Sequence, residues 1–348
     1  MSADIVLIDD GIVFGGLSAE AGPLGGAETA FIGLAQGLAQ RGHRVRAFTR
    51  GAASIEHRSV TWAPIETGTP DTADLYIANR GHRVLDLVPH ARRIAFWVHN
   101  PAGYLLKWRY LVRLWRRRPT VVFLGPFHAT TLPGWVPTGG RETISYGLTE
   151  LFRQAVPRET APPPRAIFTS NPLRRLDWVL ERWAEGIRPR VPGAELHVFS
   201  SLATYGGGSA GKRAAAVPIL ARAQALAGQG VVLRSPVSKA ELVQELAQAR
   251  LFLYGGDPGE TFCLAAAESQ ASGVPGVVAR STCLAERVRD GETGFVVEDE
   301  DRAGFAAHAV DLLTNDALWL RQHQACLETQ RGLGWEEAAA HWERLLPR

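Results

Sequence analysis

Two glutamates eight positions apart, Glu260 and Glu268, carry the strongest chemical signal in this sequence. They lie in residues 251–275, which read as an apolar strand, a Gly-Gly loop and an Ala-rich helix. A glycine-rich loop that leads into a helix N-terminus presents backbone N–H groups and the positive end of the helix dipole, which together favour a phosphate. Glu268 should lie about 12 Å beyond Glu260 at the usual helical rise. This arrangement fits a ligand with hydroxyls at both ends and a diphosphate in the middle, which is the shape of a nucleotide sugar.

The same spacing recurs at four other glutamate pairs, so spacing alone equally allows two surface glutamates. Context separates the pair at Glu260 from the others. Only this pair follows an apolar strand and a Gly-Gly loop and precedes a helix closed by Gly273 and Pro275. We therefore interpret residues 251–275 as the binding site of a diphosphate.

A second Gly-Gly loop, Gly25-Gly26, opens a predicted helix within residues 22–45. Its functional interpretation is a backbone cradle for a phosphate or a sugar in the first strand-to-helix turn. The alternative is a turn whose glycines only permit a tight reversal of the chain. The GxGxxG pattern is absent, so the dinucleotide-binding fingerprint is excluded at this loop.

Three further side chains that could do chemistry lie at the end of a predicted strand or shortly after one. Arg174 and Arg175 stand at a predicted helix start, where a guanidinium can bind a phosphate through two hydrogen bonds. His99 ends another predicted strand, at the edge where ligands bind if the sheet is parallel. The alternatives are two surface arginines and a structural histidine.

Composition limits the function without naming it. The chain has 348 residues, of which 46% are hydrophobic and 21% charged, and this predicts a globular protein of two domains. Its three cysteines, Cys263, Cys283 and Cys326, are scattered, which favours a reducing compartment over a disulfide framework or a zinc site. The pair Asp9-Asp10 has no third ligand nearby and does not predict a metal site. Without a signal-like start or a bilayer-spanning apolar run, we expect a cytoplasmic protein.

These sites need a scaffold that brings strand ends together. Short apolar runs alternate with helical segments, and we predict strands at 5–9, 45–49, 75–79, 94–99, 121–125, 143–147, 166–170, 196–200, 231–235, 251–255, 276–280 and 294–298. Continuous apolar strands separated by helices indicate parallel sheets covered on both faces. The proline-rich residues 156–165 predict a linker. We therefore predict an α/β protein with two doubly wound domains, residues 1–158 and 159–330, which face each other across a ligand-binding cleft.

Residues 87–141 form a basic stretch with nine Lys or Arg and no Asp or Glu. Within it, the predicted helix 104–119 has an apolar arc opposite a basic arc (Leu105, Trp108, Leu111, Val112 and Trp115 against Arg109, Arg113, Arg116 and Arg117). A basic helix with tryptophans suits the surface of an anionic membrane, so we predict peripheral attachment there. The alternative is a helix whose tryptophans pack on the sheet while its arginines stay solvated. We expect no nucleic-acid partner.

Taken together, these motifs resemble glycosyltransferase family 4, a large group of retaining enzymes with the two-domain GT-B fold. The resemblance rests on Gly25-Gly26-Ala27-Glu28, GHRV at 42–45, His99, SNPLR at 170–174, the Glu260/Glu268 pair with ASGVP behind it, and GETGFVV at 291–297. It implies two Rossmann-like domains and a C-terminal helix, residues 331–348, that crosses back onto the first domain.

The resemblance also implies roles for single residues. In the donor site, Glu260 would bind sugar hydroxyls and Glu268 the ribose, while the diphosphate would be held by arginines and backbone amides (Arg174, Arg175, Thr261, Phe262, Cys263 and Leu264). The acceptor side would comprise Gly25, Gly26, Glu28 and His99, with Gly25 and Gly26 also reaching the donor. The implied catalytic residues are Glu260, Arg174 and His99.

The implied reaction moves a sugar from a nucleotide-diphosphate sugar to an acceptor hydroxyl with retention of configuration. Family members use arginine and helix amides to stabilise the leaving diphosphate, so the resemblance implies no metal and no cofactor. The chain departs from the family at the residues that would bind the diphosphate. Members commonly carry an Arg and then a Lys; here Arg174 takes the lysine position, and the upstream position, near Thr169, has no charge. Tyr146-Gly147-Leu148 also stands where Asn-Gly is usual.

Two other functions fit the same architecture, a nucleotide-sugar epimerase and a non-catalytic adaptor that binds a nucleotide sugar. A phosphorylase that depends on pyridoxal phosphate is disfavoured, because neither Lys212 nor Lys239 lies at a predicted strand end. We expect the acceptor to be lipid-linked, a polysaccharide or a small molecule, as in the synthesis of envelope polysaccharides, glycolipids or glycoconjugates.

Overall fold

A computed structural model describes residues 2–22, 24–51, 53–202, 210–330 and 333–347. The chain divides into two compact units, Met1–Gly147 with Leu333–Arg348, and Leu148–Gly332. The predicted motif at 22–45 and the predicted segment 331–348 include residues 23, 331, 332 and 348, which lie outside the described residues. The domain boundary predicted between residues 158 and 159 stays a prediction.

The first unit is built on one sheet with the strand order β3-β4-β2-β1-β5-β6-β7-β8. All its described strand pairs are parallel except the antiparallel pair β3–β4. Without β3 this is the doubly wound order, in which the chain reverses its direction of travel between the neighbours β1 and β5. The elements are β1 (Asp4–Asp9), α1 (Ser18–Ala21), α2 (Gly26–Gln40), β2 (Arg44–Thr49), β3 (Ile55–His57), β4 (Val60–Pro64), β5 (Thr72–Asn79), β6 (His90–Trp97), α3 (Trp108–Arg117), β7 (Thr120–Phe123), α4 (Pro126–Thr130) and β8 (Gly140–Thr143), with 3₁₀ turns at Ile65–Thr67, Val84–Asp86 and Ala102–Leu106.

The C-terminal helix of the chain belongs to the first unit. This helix, α12 (Trp335–Trp342), packs along α2 because two glycines of α2 leave room for Trp335. A Cβ atom on Gly33 would lie 2.2 Å from the Trp335 ring, and one on Gly37 would lie 2.6 Å from the Trp335 carbonyl oxygen. Just beyond α12, in a 3₁₀ turn at Glu343–Leu345, both carboxylate oxygens of Glu343 accept hydrogen bonds from Arg41, at 2.6 and 2.8 Å. Packing and an ion pair thus anchor this segment.

The second unit has a parallel sheet with the order β11-β10-β9-β12-β13-β14. Counted within the unit, this order is 3-2-1-4-5-6, so the chain reverses between β9 and β12. The elements are α5 (Glu150–Arg153), β9 (Arg165–Phe168), α6 (Leu176–Arg182), a π-helix (Trp183–Ile187), β10 (Glu195–Phe199), α7 (Ala210–Ala225), β11 (Val231–Arg234), α8 (Lys239–Gln248), β12 (Leu251–Tyr254), α9 (Leu264–Ala271), β13 (Gly276–Ala279), β14 (Gly294–Val297), α10 (Arg302–Thr314) and α11 (Asp316–Gln330), with 3₁₀ turns at Ala227–Gln229 and Thr282–Glu286.

The predicted α/β class with two doubly wound parallel sheets is confirmed. The strand predicted at 143–147 is wrong in position, because β8 ends at Thr143. The hairpin β3–β4 escaped prediction, since its turn residues Arg58 and Ser59 adopt positive φ angles of 49° and 59° without the usual Asn-Gly signal.

The predicted helix 104–119 is also corrected. A 3₁₀ turn covers Ala102–Leu106, and α3 begins only at Trp108. The buried face of α3 is formed by Tyr110 and Leu114, whereas Trp108 and Trp115 are 78% and 67% exposed. The alternative in which the tryptophans pack on the sheet is therefore wrong.

Candidate active site

The candidate donor site lies at the carboxyl edge of the second sheet, where β9 and β12 are neighbours. Chain segments that leave two such strands diverge and open a crevice, which is where doubly wound folds bind their ligands. Arg174 follows β9, and Glu260 follows β12 through the glycines Gly255 and Gly256. Residues that are 86 positions apart in the chain thereby come into direct contact.

Glu260 is held from three sides. Its carboxylate accepts hydrogen bonds from Arg174 Nη1 at 2.8 Å, from the Tyr254 hydroxyl at 2.7 Å and from the Cys263 backbone N–H at 3.2 Å. Arg174 Nη1 also donates to Asp257 Oδ1 at 3.2 Å. The Glu260 side chain keeps 15% of its surface exposed. A carboxylate that is fixed in orientation and still open at one edge can bind the hydroxyls of a ligand.

The segment between Glu260 and α9 brings backbone to this site. Thr261, Phe262 and Cys263 are buried, and α9 begins at Leu264. Cys263 immediately precedes the helix in the left-handed conformation, with φ 60° and ψ 73°. A non-glycine residue in that conformation costs of order 1–3 kcal/mol and is typical of functional loops. The turn aims the start of α9, with its N–H groups and positive dipole end, at the crevice.

Glu268 lies on α9 and is 5% exposed. Its Oε1 accepts a hydrogen bond from Lys239 Nζ at 2.6 Å. Lys239 is the first residue of α8, whose N-terminus is closed by a capping box between Ser238 and Glu241. The pairing of Lys239 with Glu268 could not be predicted, because the two residues lie on different helices.

Arg175 does not share the contacts of Arg174. Its guanidinium donates to both oxygens of Asp299, at 2.7 and 2.8 Å, and lies 4.9 Å from the ring centre of Trp178. The backbone of Arg175 is left-handed, with φ 57°, so consecutive arginines point to different partners. The structure therefore joins Arg174, and not Arg175, to Glu260.

In the first unit, the predicted acceptor residues belong to a buried polar network at the carboxyl edge of β1 and β5. Arg80 donates to Asp9 Oδ2 through Nη2 at 2.6 Å and to Glu28 Oε1 through Nη1 at 2.8 Å. Asn79 also donates to Asp9. Burial raises the pKa of Asp9, against the opposing effect of the Arg80 charge. Arg80 was not predicted as a site residue. Its position as a charged residue directly after a buried strand is the signal that could have indicated it.

His99 joins this network two residues after the end of β6. Its Nε2 contacts Asn79 Oδ1, and its Nδ1 contacts the Tyr146 hydroxyl. Burial, and then the charge of Arg80, hold the pKa of His99 well below its ordinary value, so the ring is neutral at physiological pH. Asn79 thus links His99 to the ion pairs of Asp9 and, through Arg80, to Glu28.

The remaining predicted site residues lie at the start of α2. Gly25 precedes the helix in an extended conformation, and its carbonyl accepts the Thr29 N–H at 3.0 Å. Gly26 is the first helical residue, and Glu28 is in the first turn. The Glu28 carboxylate reaches Arg80 at the same edge of the sheet, so the Gly25-Gly26 turn borders the polar network.

The described part of the chain contains neither a cluster of metal ligands nor a membrane-spanning helix. No group of three or more His, Cys, Asp or Glu side chains there could hold a metal ion. No described helix is both long enough and apolar enough to cross a membrane.

Comparison with known proteins finds a family model that matches most of the second unit. Residues 164–315 match the family model described as Glycosyl transferases group 1. Most of the second unit is therefore similar to a group 1 glycosyl transferase domain. This match agrees with the resemblance to glycosyltransferase family 4 that the motifs indicate.

One relative of this chain is the D-inositol 3-phosphate glycosyltransferase of Nocardioides sp., which is 38% identical over 114 residues. That match covers 32% of this chain and 25% of the relative's length. The chain thus aligns with about a quarter of the relative.

Two solved structures show that the whole chain has the GT-B fold class. The sucrose-phosphate synthase of Thermosynechococcus elongatus superposes with a TM-score of 0.72 and 18% identity, covering 98% of this chain and 97% of the other. The Anabaena protein HepE, solved with UDP and glucose, gives a TM-score of 0.70 and 13% identity over 98% of each chain. At these identities the likeness concerns the fold.

Proposed function

We propose that this chain is a glycosyltransferase that moves a sugar from a nucleotide-diphosphate sugar to an acceptor hydroxyl, with retention of configuration and without a bound metal. The observation that carries the proposal is the contact of Glu260 with Arg174 at the reversal point of the second sheet, beside the start of α9. The UDP and glucose in the structure of HepE support a nucleotide-sugar donor for this fold.

The chemistry assigns each donor residue a task. When the bond to the nucleoside diphosphate breaks, negative charge grows on the leaving phosphates, and groups fixed in advance around them stabilise the transition state. Arg174 and the first N–H groups of α9 would supply this stabilisation. Glu260 would hold the hydroxyls of the sugar, and Glu268 would bind the ribose at the far end of the donor. The leaving phosphate would accept the proton of the attacking hydroxyl.

The first unit would bind the acceptor. Its network presents carboxylates and a neutral imidazole, groups that hydrogen-bond to hydroxyls. Both ring nitrogens of His99 contact neighbours, so we assign His99 the task of holding the network in place around the acceptor. The proposed acceptor is lipid-linked, a polysaccharide or a small molecule of envelope or glycoconjugate synthesis.

A donor-turnover assay tests this proposal. The protein is incubated with UDP-, GDP-, ADP- and TDP-sugars, and release of the nucleoside diphosphate is measured with and without candidate acceptors. We expect release from one class of donor, strongly reduced in Glu260→Ala. Donor binding without any release or transfer would support an adaptor, and conversion of the donor sugar without acceptor would support an epimerase.

We further propose that α3 attaches the protein to an anionic membrane surface. Trp108 and Trp115 are seven residues apart, which places them on one side of the helix, and both are exposed. Arg109 and Arg116 are exposed as well. Exposed tryptophans beside arginines match the headgroup region of an anionic bilayer, where each basic residue contributes about 1 kcal/mol.

The structure changes which residues should be tested for this attachment. Arg113 donates to Asp86 at 2.7 Å, and Arg117 donates to three backbone carbonyls, so both hold α3 to its own unit. The test is sedimentation with anionic vesicles at low and high salt. We expect Trp108→Ala/Trp115→Ala to abolish binding and Arg116→Gln to weaken it at low salt. Absence of wild-type binding at low salt would refute the attachment.

A further inference from the structure

The side chain of Arg287 is largely buried, and its anionic partner is distant. It follows the 3₁₀ turn Thr282–Glu286 and packs over Phe262, with its guanidinium carbon 4.5 Å from the ring centre. Its side chain is 11% exposed, and its Nε atom has no hydrogen-bond partner. The carboxylate oxygen of the neighbouring Glu286 is 3.9 Å from its Nη2, too far for a hydrogen bond.

A second buried arginine of the same unit shows what a purely structural arginine looks like. Arg250 donates to Asp316 at 2.6 Å and to the carbonyls of Leu312 and Pro162 at 2.5 and 3.4 Å, so its charge and its donors are satisfied within the protein. Arg287 has no such set of acceptors. Burial of a weakly paired charge is costly, and burial indeed lowers the pKa of Arg287.

The surroundings of Arg287 increase this cost. Phe262, on which it packs, lies two residues before α9, so the guanidinium stands near the positive end of that helix dipole. The next residue, Cys263, donates its backbone N–H to Glu260, which also accepts a hydrogen bond from Arg174. Two cations and a helix N-terminus thus converge on one loop, and an anion bound there would relieve all three.

We infer that Arg287 binds the diphosphate of the donor as a second cation beside Arg174, an inference that rests on the proposed function. A nucleoside diphosphate carries at least two negative charges, whereas Arg174 already serves Asp257 and Glu260. The sequence has no charged residue at the upstream position near Thr169. Arg287 reaches the same loop from the connection between β13 and β14 and would restore the missing charge.

The test compares Arg287→Met with Arg289→Met in the full chain. Methionine keeps the apolar stem over Phe262 and removes the charge. Arg289 is a matched control, because its side chain is 55% exposed and pairs with Glu292 at 2.8 Å. Affinities are measured by calorimetry for UDP, GDP, ADP and TDP and for the corresponding nucleosides.

We expect Arg287→Met to bind the preferred diphosphate about tenfold to a hundredfold more weakly, the usual effect of losing hydrogen bonds to a charged group. Its affinity for the nucleoside should stay unchanged, and Arg289→Met should resemble the wild type. The melting temperature of unliganded Arg287→Met should not fall, because the variant removes a largely buried and weakly paired charge. A merely structural arginine would give the opposite pattern, a less stable protein with unaltered selectivity for the diphosphate.

An unchanged diphosphate affinity in Arg287→Met, or an equal loss of diphosphate and nucleoside affinity, would overturn the role of Arg287 and leave the proposed function intact. If the wild type binds none of the four diphosphates, the proposed function and this inference both fail. If Arg287→Met does not fold, Arg287→Gln replaces it. The same selective loss is then expected, and diphosphate affinity within twofold of the wild type overturns the inference.

Discussion

Replacement of Arg174 separates a catalytic from a structural role of this arginine, because the next residue, Arg175, serves as the control. Arg174 Nη1 contacts Asp257 and Glu260 at 3.2 and 2.8 Å, whereas Arg175 pairs with Asp299. Both arginines stand at the start of α6, and their side chains are similarly exposed, 28% and 26%. A difference between Arg174→Ala and Arg175→Ala would therefore come from what each guanidinium contacts.

The expected rate loss for Arg174→Ala is large. Removal of one pre-placed donor from a developing anion typically costs about 10²–10³ in kcat, or ~2.7–4 kcal/mol. The structural cost should be smaller, because the ion pairs of Arg174 are partly exposed, and about 1 kcal/mol is a reasonable figure for them. In a unit of this size such a loss lowers the melting temperature by about 2–4 °C.

The assay measures kcat and KM for donor turnover together with the melting temperature. We expect Arg174→Ala to lose at least about a hundredfold in kcat while it melts only a few degrees lower. Arg174→Lys should retain part of the activity, because a point charge remains. Arg175→Ala should keep a kcat near that of the wild type. If Arg175→Ala is the damaging variant and Arg174→Ala is nearly silent, the assignment of Arg174 as the diphosphate-binding arginine is wrong.

Three further predictions concern the glutamates of the donor site, the metal dependence of turnover and the ion pair of Glu343. Glu260→Ala should mainly lower kcat, because it contacts the sugar near the reacting carbon, and Glu268→Ala should mainly raise the KM for the donor; equal and small effects in steady-state kinetics would contradict the donor site. Turnover should survive EDTA, since Arg174 and helix amides are proposed to replace a metal, and loss in EDTA with recovery by Mn²⁺ or Mg²⁺ would refute this. Hydrogen bonds from Arg41 and His43 lower the pKa of Glu343 from 4.5 to about 2, so its contribution to stability is present above pH 4.5 and lost as the pH falls towards 2. Glu343→Gln should therefore melt a few degrees below the wild type at pH 7, by about 1 kcal/mol, and the gap should close on acidification, whereas a gap independent of pH would contradict the ion pair.

Sequence patterns predicted the scaffold well because parallel strands buried on both faces must be continuous apolar runs. The start of α9 was also predictable, since Gly255-Gly256, the apolar strand before them and Gly273 after the helix are all local signals. The hairpin β3–β4 was not, because Arg58 and Ser59 lack the residue types that announce such a turn.

Contacts between distant elements could not be predicted in the same way. Three contacts join residues on different segments, and local periodicity cannot predict them. They are Lys239 with Glu268, Arg80 with Glu28, and Arg287 over Phe262. Both orientations of α3 remained open from the sequence, because helical periodicity gives relative angles only. Which arc faces the sheet is decided by tertiary packing, here through Tyr110 and Leu114.

The proposed function requires that the second unit bind a nucleotide sugar, and a thermal-shift screen measures this binding directly. The wild type and Arg174→Ala are melted with UDP-, GDP-, ADP- and TDP-sugars at a range of concentrations. A ligand that binds only the folded state adds about 2.7 kcal/mol at a hundred times its dissociation constant, which corresponds to ~5–10 °C for a unit of this size. We expect such a shift with one class of nucleotide sugar and a much smaller shift in Arg174→Ala. No shift with any of the four classes, or an equal shift in the variant, would contradict it.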